Sequence, residues 1–186
     1  MWPSQVHYHQ AIRALRQGQI ISYPTESVFG LGCDPLNLNS VNNILLAKQR
    51  SWQKGLILIA SEIEQLEPWI DWARVPNIEK IYASWPGPET WIVPVTDEVS
   101  PLLRGQYNSL AVRVSAHPVV QQLCDQFAGA IVSTSANKAG NPAPKSSFQV
   151  RKTFKDSIGF YMTGATSKSL RPSRIRSALT GETLRS

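Results

Sequence analysis

Leu56-Ile57-Leu58-Ile59-Ala60 is an unbroken apolar run of strand length. Without polar alternation, such a run suits a strand covered on both faces rather than one half exposed to water. The flanking segments must then supply two covering layers, and their periodicity agrees with that demand. Tyr8, Ala11, Ile12 and Leu15 recur at helical spacing with Gly18 as a stop, so residues 5–17 read as an amphipathic helix. Residues 19–23 read as a short strand ended by Pro24, which cannot donate to a sheet ladder. Asn39 or Ser40 can cap a helix running to about Gln49, with Val41, Ile44 and Leu45 on its apolar face. Ser61 with Glu64 fits a capping box that opens a helix through Leu66. Pro76 fits a helical first turn, with Ile78, Ile81 and Tyr82 on one side.

Trp85-Pro86-Gly87-Pro88 reads as a rigid turn, after which 90–95 resumes as a strand. Further strands are expected at 110–114, 130–133 and 158–162, with a helix at 118–127 that closes at Gly129. Strands and helices interleave through one core. The expectation is a layered α/β (α+β) fold with a mixed sheet, forming one domain over residues 1–186.

Composition narrows the class. The 42% hydrophobic and 17% charged content of the 186 residues excludes disorder as the dominant state. No apolar run approaches the ~20 residues that span a bilayer, and the first ten residues lack a secretory layout. Cys33 and Cys124 have no metal-binding or CxxC spacing, which points to a reducing, cytoplasmic setting. Charge is uneven. Residues 1–128 carry nine Lys/Arg and eleven Asp/Glu, whereas 129–186 carry ten and two, a net of −2 against +8. The basic third either attracts a polyanion such as nucleotide phosphate or RNA, or serves as a solvated surface.

Several polar clusters fall at predicted strand ends, where open α/β sheets place ligands. Thr25 follows the proline-ended strand, with Gly30 and Gly32 close by for backbone approach. Lys48, Arg50 and Lys54 put three cations within seven residues, which repel one another unless an anion or a helix C-terminus offsets them. Ser133-Thr134-Ser135-Ala136-Asn137 carries more polar side chains than capping consumes. Arg113 interrupts an apolar strand and requires either a buried carboxylate or an anionic ligand, of which the ligand is the favoured reading. Arg171, Ser173, Arg174, Arg176 and Arg185 add anion-binding groups near the C-terminus, or a solvated surface. There is no P-loop and no GxGxxG after a strand. The three histidines are too few and badly placed for a catalytic zinc, His117 reading as a helix-entry residue before Pro118. No protein nucleophile stands out, so chemistry here would rest on positioning and charge.

Taken in order, Tyr23-Pro24-Thr25-Glu26, Lys48-x-Arg50, Trp85-Pro86-Gly87-Pro88, the 109–114 strand with Arg113, His117-Pro118 and the 133–137 cluster resemble the YrdC/TsaC family of threonylcarbamoyl-AMP synthases, short bacterial type. The likeness covers roughly residues 8 to 185. It implies a twisted, open YrdC/RibB-like mixed sheet flanked by helices, with a concave basic face. It also implies a reaction in which L-threonine, bicarbonate (or CO2) and ATP give L-threonylcarbamoyladenylate and pyrophosphate. That product would feed N6-threonylcarbamoyl modification of adenosine 37 in ANN-decoding tRNA through a separate transfer complex.

By position in the motifs, the resemblance implies Lys48, Arg50, Ser135 and Asn137 as the catalytic signature. Thr25, Arg113, Ser133 and Ser173 would contact threonine; Lys48, Arg50, Ser109, Ser135 and Arg185 would contact ATP. Mg²⁺ would enter on the nucleotide phosphates, with no protein metal site. The stretch 56–60 has no histidine where longer members of the family carry one. A non-catalytic RNA- or tRNA-binding module is the alternative reading, its affinity falling steeply with salt. A ribulose-phosphate-metabolising relative would need an acidic metal cluster, which the sequence lacks.

Overall fold

The computed structural model of the chain describes residues 2–166 and 173–185. Its strands are β1 (Ile21–Pro24), β2 (Phe29–Gly32), β3 (Ile57–Ala60), β4 (Glu89–Pro94), β5 (Ser109–Val114), β6 (Ile131–Ser135), β7 (Phe160–Tyr161), β8 (Arg174–Ser177) and β9 (Thr183–Arg185). They form one mixed sheet in the order β7-β1-β2-β6-β3-β5-β4-β8-β9. The pairs β1–β7, β3–β5 and β4–β8 run parallel and the others antiparallel. Helices α1 (Gln5–Arg16), α2 (Leu38–Lys48), α3 (Ile78–Ser84), α4 (Pro101–Arg104), α5 (Pro118–Phe127) and α6 (Ser147–Phe154) flank it. This is the mixed α/β architecture expected from the interleaved pattern.

The apolar run at 56–60 does face two layers. Leu58 and Ala60 pack with Val41, Ile44 and Leu45 of α2 and with Val150 and Phe154 of α6. Ile59, pointing the other way, packs with Leu15 of α1 and with Val120 and Leu123 of α5. Strand alternation then sorts every neighbouring side chain. Val112 and Val114 of β5 and Val132 of β6 join the α2 layer. Arg113, Ser133 and Ser135 must therefore emerge on the face that carries α1 and α5. Those two helices cover only part of it, and the uncovered part is a cavity of about 470 Å³.

Glycine makes one cross-strand reach possible. Tyr23 lies on β1, and β2 separates β1 from β6. A Cβ on Gly30 would meet the Tyr23 ring at 3.3 Å. One on Gly32 would meet that ring at 2.9 Å and the Val132 carbonyl at 2.7 Å. Bare backbone at these positions lets the ring lie across β2 and deliver its hydroxyl to Ser133 Oγ at 2.8 Å.

Some local expectations change. Helix α2 is capped by Asn37, whose side chain accepts the Ser40 amide, rather than by Asn39 or Ser40. The predicted capping box at Ser61 and Glu64 does not form. Residues Ile63–Trp69 make a 3-10 helix instead, and the Ser61 amide donates to Gln65 Oε1 at 3.1 Å. Pro68 inside that segment removes a donor an α-helix would use. Tyr82 is exposed and stacks edge-on against Trp72, so only Ile81 of α3 is fully buried. The strand expected over 158–162 shortens to Phe160–Tyr161. Trp85 and Trp91 are in the core, while Trp52 is exposed.

Gly32→Ala is expected to destabilise the protein by ~2 kcal/mol or more, because backbone and not a flexible side-chain end must yield. Tyr23→Phe, which removes only the hydroxyl bond, is expected to cost ~1 kcal/mol. Denaturant midpoints of the two variants check the order; equal midpoints would contradict the packing argument.

Candidate active site

Thr25, Arg50, Arg113, Ser133, Ser135, Asn137, Ser173 and Arg185 all line this cavity on the sheet. They arrive from the β1–β2 loop, the α2–β3 connection, β5, β6 and the loop after it, the residue preceding β8, and β9. Eight residues singled out in the sequence, spanning positions 25 to 185, are thus brought together. Ser109 and Lys48 are not among the lining residues. Ser109 is half-buried at the start of β5, opposite Pro94. Arg171 lies outside the described residues.

Arg113 has the carboxylate partner rather than waiting for a ligand alone. Its Nη2 donates to Glu26 Oε1 at 2.5 Å and its Nε to the Gly87 carbonyl at 2.8 Å. Ser115 Oγ donates to the same Glu26 oxygen at 2.8 Å. Arg113 Nη1 has no hydrogen-bond partner among the described residues. Burial pulls the guanidinium pKa down, and Glu26 opposes that shift. Sequence reasoning missed Glu26 as a site residue, although it follows Thr25 directly. The unpaired charge of Arg113 was the signal that could have found it.

Lys48 lies behind the cavity wall. Its side chain is buried at the last turn of α2. The ammonium donates to the carbonyls of Ser135 and Asn137, the latter at 2.7 Å. The Lys48 carbonyl in turn accepts the Ala139 amide at 3.1 Å. One residue therefore ties the end of α2 to the loop that follows β6 at three points. Burial, with the nearby charge of Arg50, pulls the Lys48 pKa down to about 8. The two carbonyls favour the charged form and work against that shift. Arg50 donates through Nε and Nη2 to the Gly55 carbonyl at 3.3 and 3.0 Å while still lining the cavity.

Hydroxyl directions matter to what the cavity can bind. Thr25 Oγ1 donates to the Val28 carbonyl at 2.7 Å, so its lone pairs remain available to accept. Ser133 Oγ accepts from Tyr23, so its own proton remains available to donate. Asn137 Nδ2 donates to the Lys138 and Asn141 carbonyls at 3.1 and 2.6 Å, while its buried Oδ1 has no partner among the described residues.

The C-terminal strands close the far side. Ser173 Oγ accepts from Thr90 Oγ1 at 2.9 Å, and the Ser173 carbonyl accepts from Arg185 Nη2 at 2.9 Å. Arg174 pairs with buried Glu89, and Arg176 lies over the Trp91 ring at 4.7 Å. Both of those arginines, expected as anion-binding groups, are committed to clamping β8 onto β4 and do not line the cavity. His117 is the N-cap of α5, as its place before Pro118 suggested; burial lowers its pKa and favours the neutral ring. Among the described residues no group of three or more His, Cys, Asp or Glu could hold a metal ion. None of the described helices is long and apolar enough to cross a membrane.

Chemically, the described residues of the cavity present three guanidinium groups, one carboxylate and a set of hydroxyls and amides. That is a surface for holding a multiply charged anion beside a smaller polar molecule.

Comparisons with known proteins place the chain in a family. The Sua5/YciO/YrdC family, described as "Telomere recombination", matches residues 13–186. A protein of Serratia proteamaculans named threonylcarbamoyl-AMP synthase is 50% identical over 176 residues, covering 94% of this chain and 93% of its own length. One of Photobacterium profundum with the same name is 46% identical over 178 residues, 95% of this chain and 96% of its own. A crystal structure of P. abyssi Sua5 complexed with L-threonine superposes with a TM-score of 0.84 at 30% identity. The match covers 91% of this chain and 50% of that longer one.

Lys48 yields a pH test of stability. Its folded pKa of about 8 lies below the ordinary lysine value of 10.5, so between those values the unfolded chain binds more protons and stability rises with pH. The difference in unfolding free energy between wild type and Lys48→Met is therefore expected to shift in favour of wild type as pH is raised through that window. A pH-independent difference would mean that Lys48 is not held at a lowered pKa.

Proposed function

The chain belongs to the Sua5/YciO/YrdC family, and on that premise we propose that it makes L-threonylcarbamoyladenylate from L-threonine, bicarbonate (or CO2) and ATP, releasing pyrophosphate. The observation that carries the reading is convergence: Arg50, Arg113 and Arg185, far apart in the chain, line one cavity with Thr25, Ser133 and Ser135.

The reaction joins two anions, and holding them together is the main barrier the protein can lower. The threonine amine combines with bicarbonate to give a carbamate and water. A carbamate oxygen then attacks the α-phosphorus of ATP and pyrophosphate departs. The nucleophile belongs to the substrate, consistent with a cavity that offers cations and hydroxyls. In this reading Arg113 meets the threonine carboxylate through its unpartnered Nη1. Thr25, with lone pairs to accept, and Ser133, with a proton to give, orient the amine and hydroxyl. Ser173 closes the amino-acid end.

Arg50 and Arg185 face the triphosphate, where a fork of donors matches phosphate oxygens. Ser135 and Asn137 fix the α-phosphate region, and Lys48 acts from behind by setting the backbone that presents them. Ser109, outside the cavity lining, would reach ATP only at its periphery. Mg²⁺ would be held by the phosphate oxygens, since the described residues of the cavity offer a single carboxylate and no acidic cluster. The adenylate would serve tRNA adenosine modification through a separate transfer complex, in the cytoplasm.

Mass spectrometry of protein incubated with L-threonine, bicarbonate and ATP should detect the adenylate, and pyrophosphate should appear only when all three are present. Pyrophosphate release that ignores threonine would overturn the reading. Salt-sensitive RNA binding without any adenylate would favour the binding-module alternative. Arg50→Ala is expected to lower adenylate formation at least ~100-fold, the scale for losing a preorganised charge contact. A wild-type rate in that variant removes Arg50 from the phosphate site.

A further inference from the structure

Glu26 is the one acidic residue among the described residues that line the cavity, against Arg50, Arg113 and Arg185. A carboxylate there works against binding anions, so its presence calls for an account. Pairing with Arg113 supplies part of one, yet that pairing uses a single oxygen. Oε1 receives both Arg113 Nη2 and Ser115 Oγ, whereas Oε2 has no hydrogen-bond donor among the described residues. The side chain is 20% exposed, so it is not sealed behind its partner. Next to it, Thr25 Oγ1 has spent its proton on Val28 and can only accept. Two neighbouring side chains thus offer acceptors to the same cavity, one of them a carboxylate, and beside them lies a guanidinium with one unpartnered nitrogen.

We propose that Glu26 recognises the amino group of the amino-acid substrate through Oε2. The Glu26–Arg113 pair then forms a two-charge template for a zwitterion, with the guanidinium on the substrate carboxylate and the carboxylate on its ammonium. This rests on the threonine reading above and assigns the group that distinguishes an amino acid from a plain hydroxy acid. It also gives the site a direction. Starting from the bound ammonium, loss of one proton to solvent gives the free amine, whose carboxylation by bicarbonate releases one water and leaves a carbamate anion. Glu26 attracts the ammonium and repels the carbamate, which is driven toward the cations at the nucleotide end.

The test compares binding of L-threonine with binding of 3-hydroxybutyrate, the same skeleton without the amine, by titration calorimetry. Wild type is expected to prefer threonine at least tenfold. Glu26→Gln keeps an oxygen for Arg113 and Ser115 but loses the charge, and should reduce the preference to within about threefold while ATP binding is retained. Ser115→Ala, which removes one contact to Oε1 only, should retain the wild-type preference. A Glu26→Gln protein that discriminates like wild type overturns the proposal. So does wild type that binds both compounds equally, a result that needs no variant to fold. Absence of any threonine binding by wild type, with ATP binding intact, instead removes the underlying reading and this one with it.

Discussion

The ion pair between Arg113 and Glu26 is the constraint around which the rest is arranged. A guanidinium in the middle of a sheet cannot be left alone in a low-dielectric interior. Its partner comes from the loop between β1 and β2, with β2, β6 and β3 separating β1 from β5 in the sheet order. To meet it, that loop must reach across the uncovered face, carrying Thr25 and Ser27 with it. Buried ion pairs of this kind contribute little net stability, because desolvation offsets the attraction. What the pair supplies is placement: it fixes one rim of the cavity relative to the sheet.

Lys48 does the same for the opposite rim. An ammonium inserted between two carbonyls of the 135–137 segment holds that loop against α2. The two cations therefore share a logic, although one is exposed to the cavity and the other is hidden from it. Clamps at Glu89, Thr90 and Trp91 fasten the third side along β4. The cavity is a gap left by two helices and framed by polar ties. It is not a pocket cut into an apolar core.

Much of this was legible in the sequence wherever a side-chain pattern had a strong physical period. The run at 56–60, the α1 and α5 stripes and the strand around Arg113 all appear as read. The strand Phe29–Gly32 was missed because two of its four residues are glycine, required by the Tyr23 ring and poor in β propensity. Helix α6 was missed because its apolar stripe is short, with only Val150 and Phe154 buried. Strands β8 and β9 are short, largely polar strands at the sheet margin, neither with a fully buried residue. Most of the cavity residues fall in motifs that can be picked out in the linear chain; Arg185 stands alone. What could not be read was the division of labour. Whether a lysine faces a ligand or a carbonyl, and whether an arginine meets a carboxylate 87 residues away, is decided by packing.

The strand order has a consequence in time. β6 lies between β2 and β3, yet it follows both of them by a long stretch of chain. A ribosome extending this polypeptide releases β1–β2 and β3–β4–β5 first, each with an unpaired edge waiting for the same strand. The halves cannot be zipped together before residues 131–135 emerge, so folding is dominated by distant pairings and is expected to be slow. A nascent chain stalled short of that point would expose two sticky strand edges to its neighbours on the polysome. The strand that bears Ser133 and Ser135 is thus also the keystone of assembly.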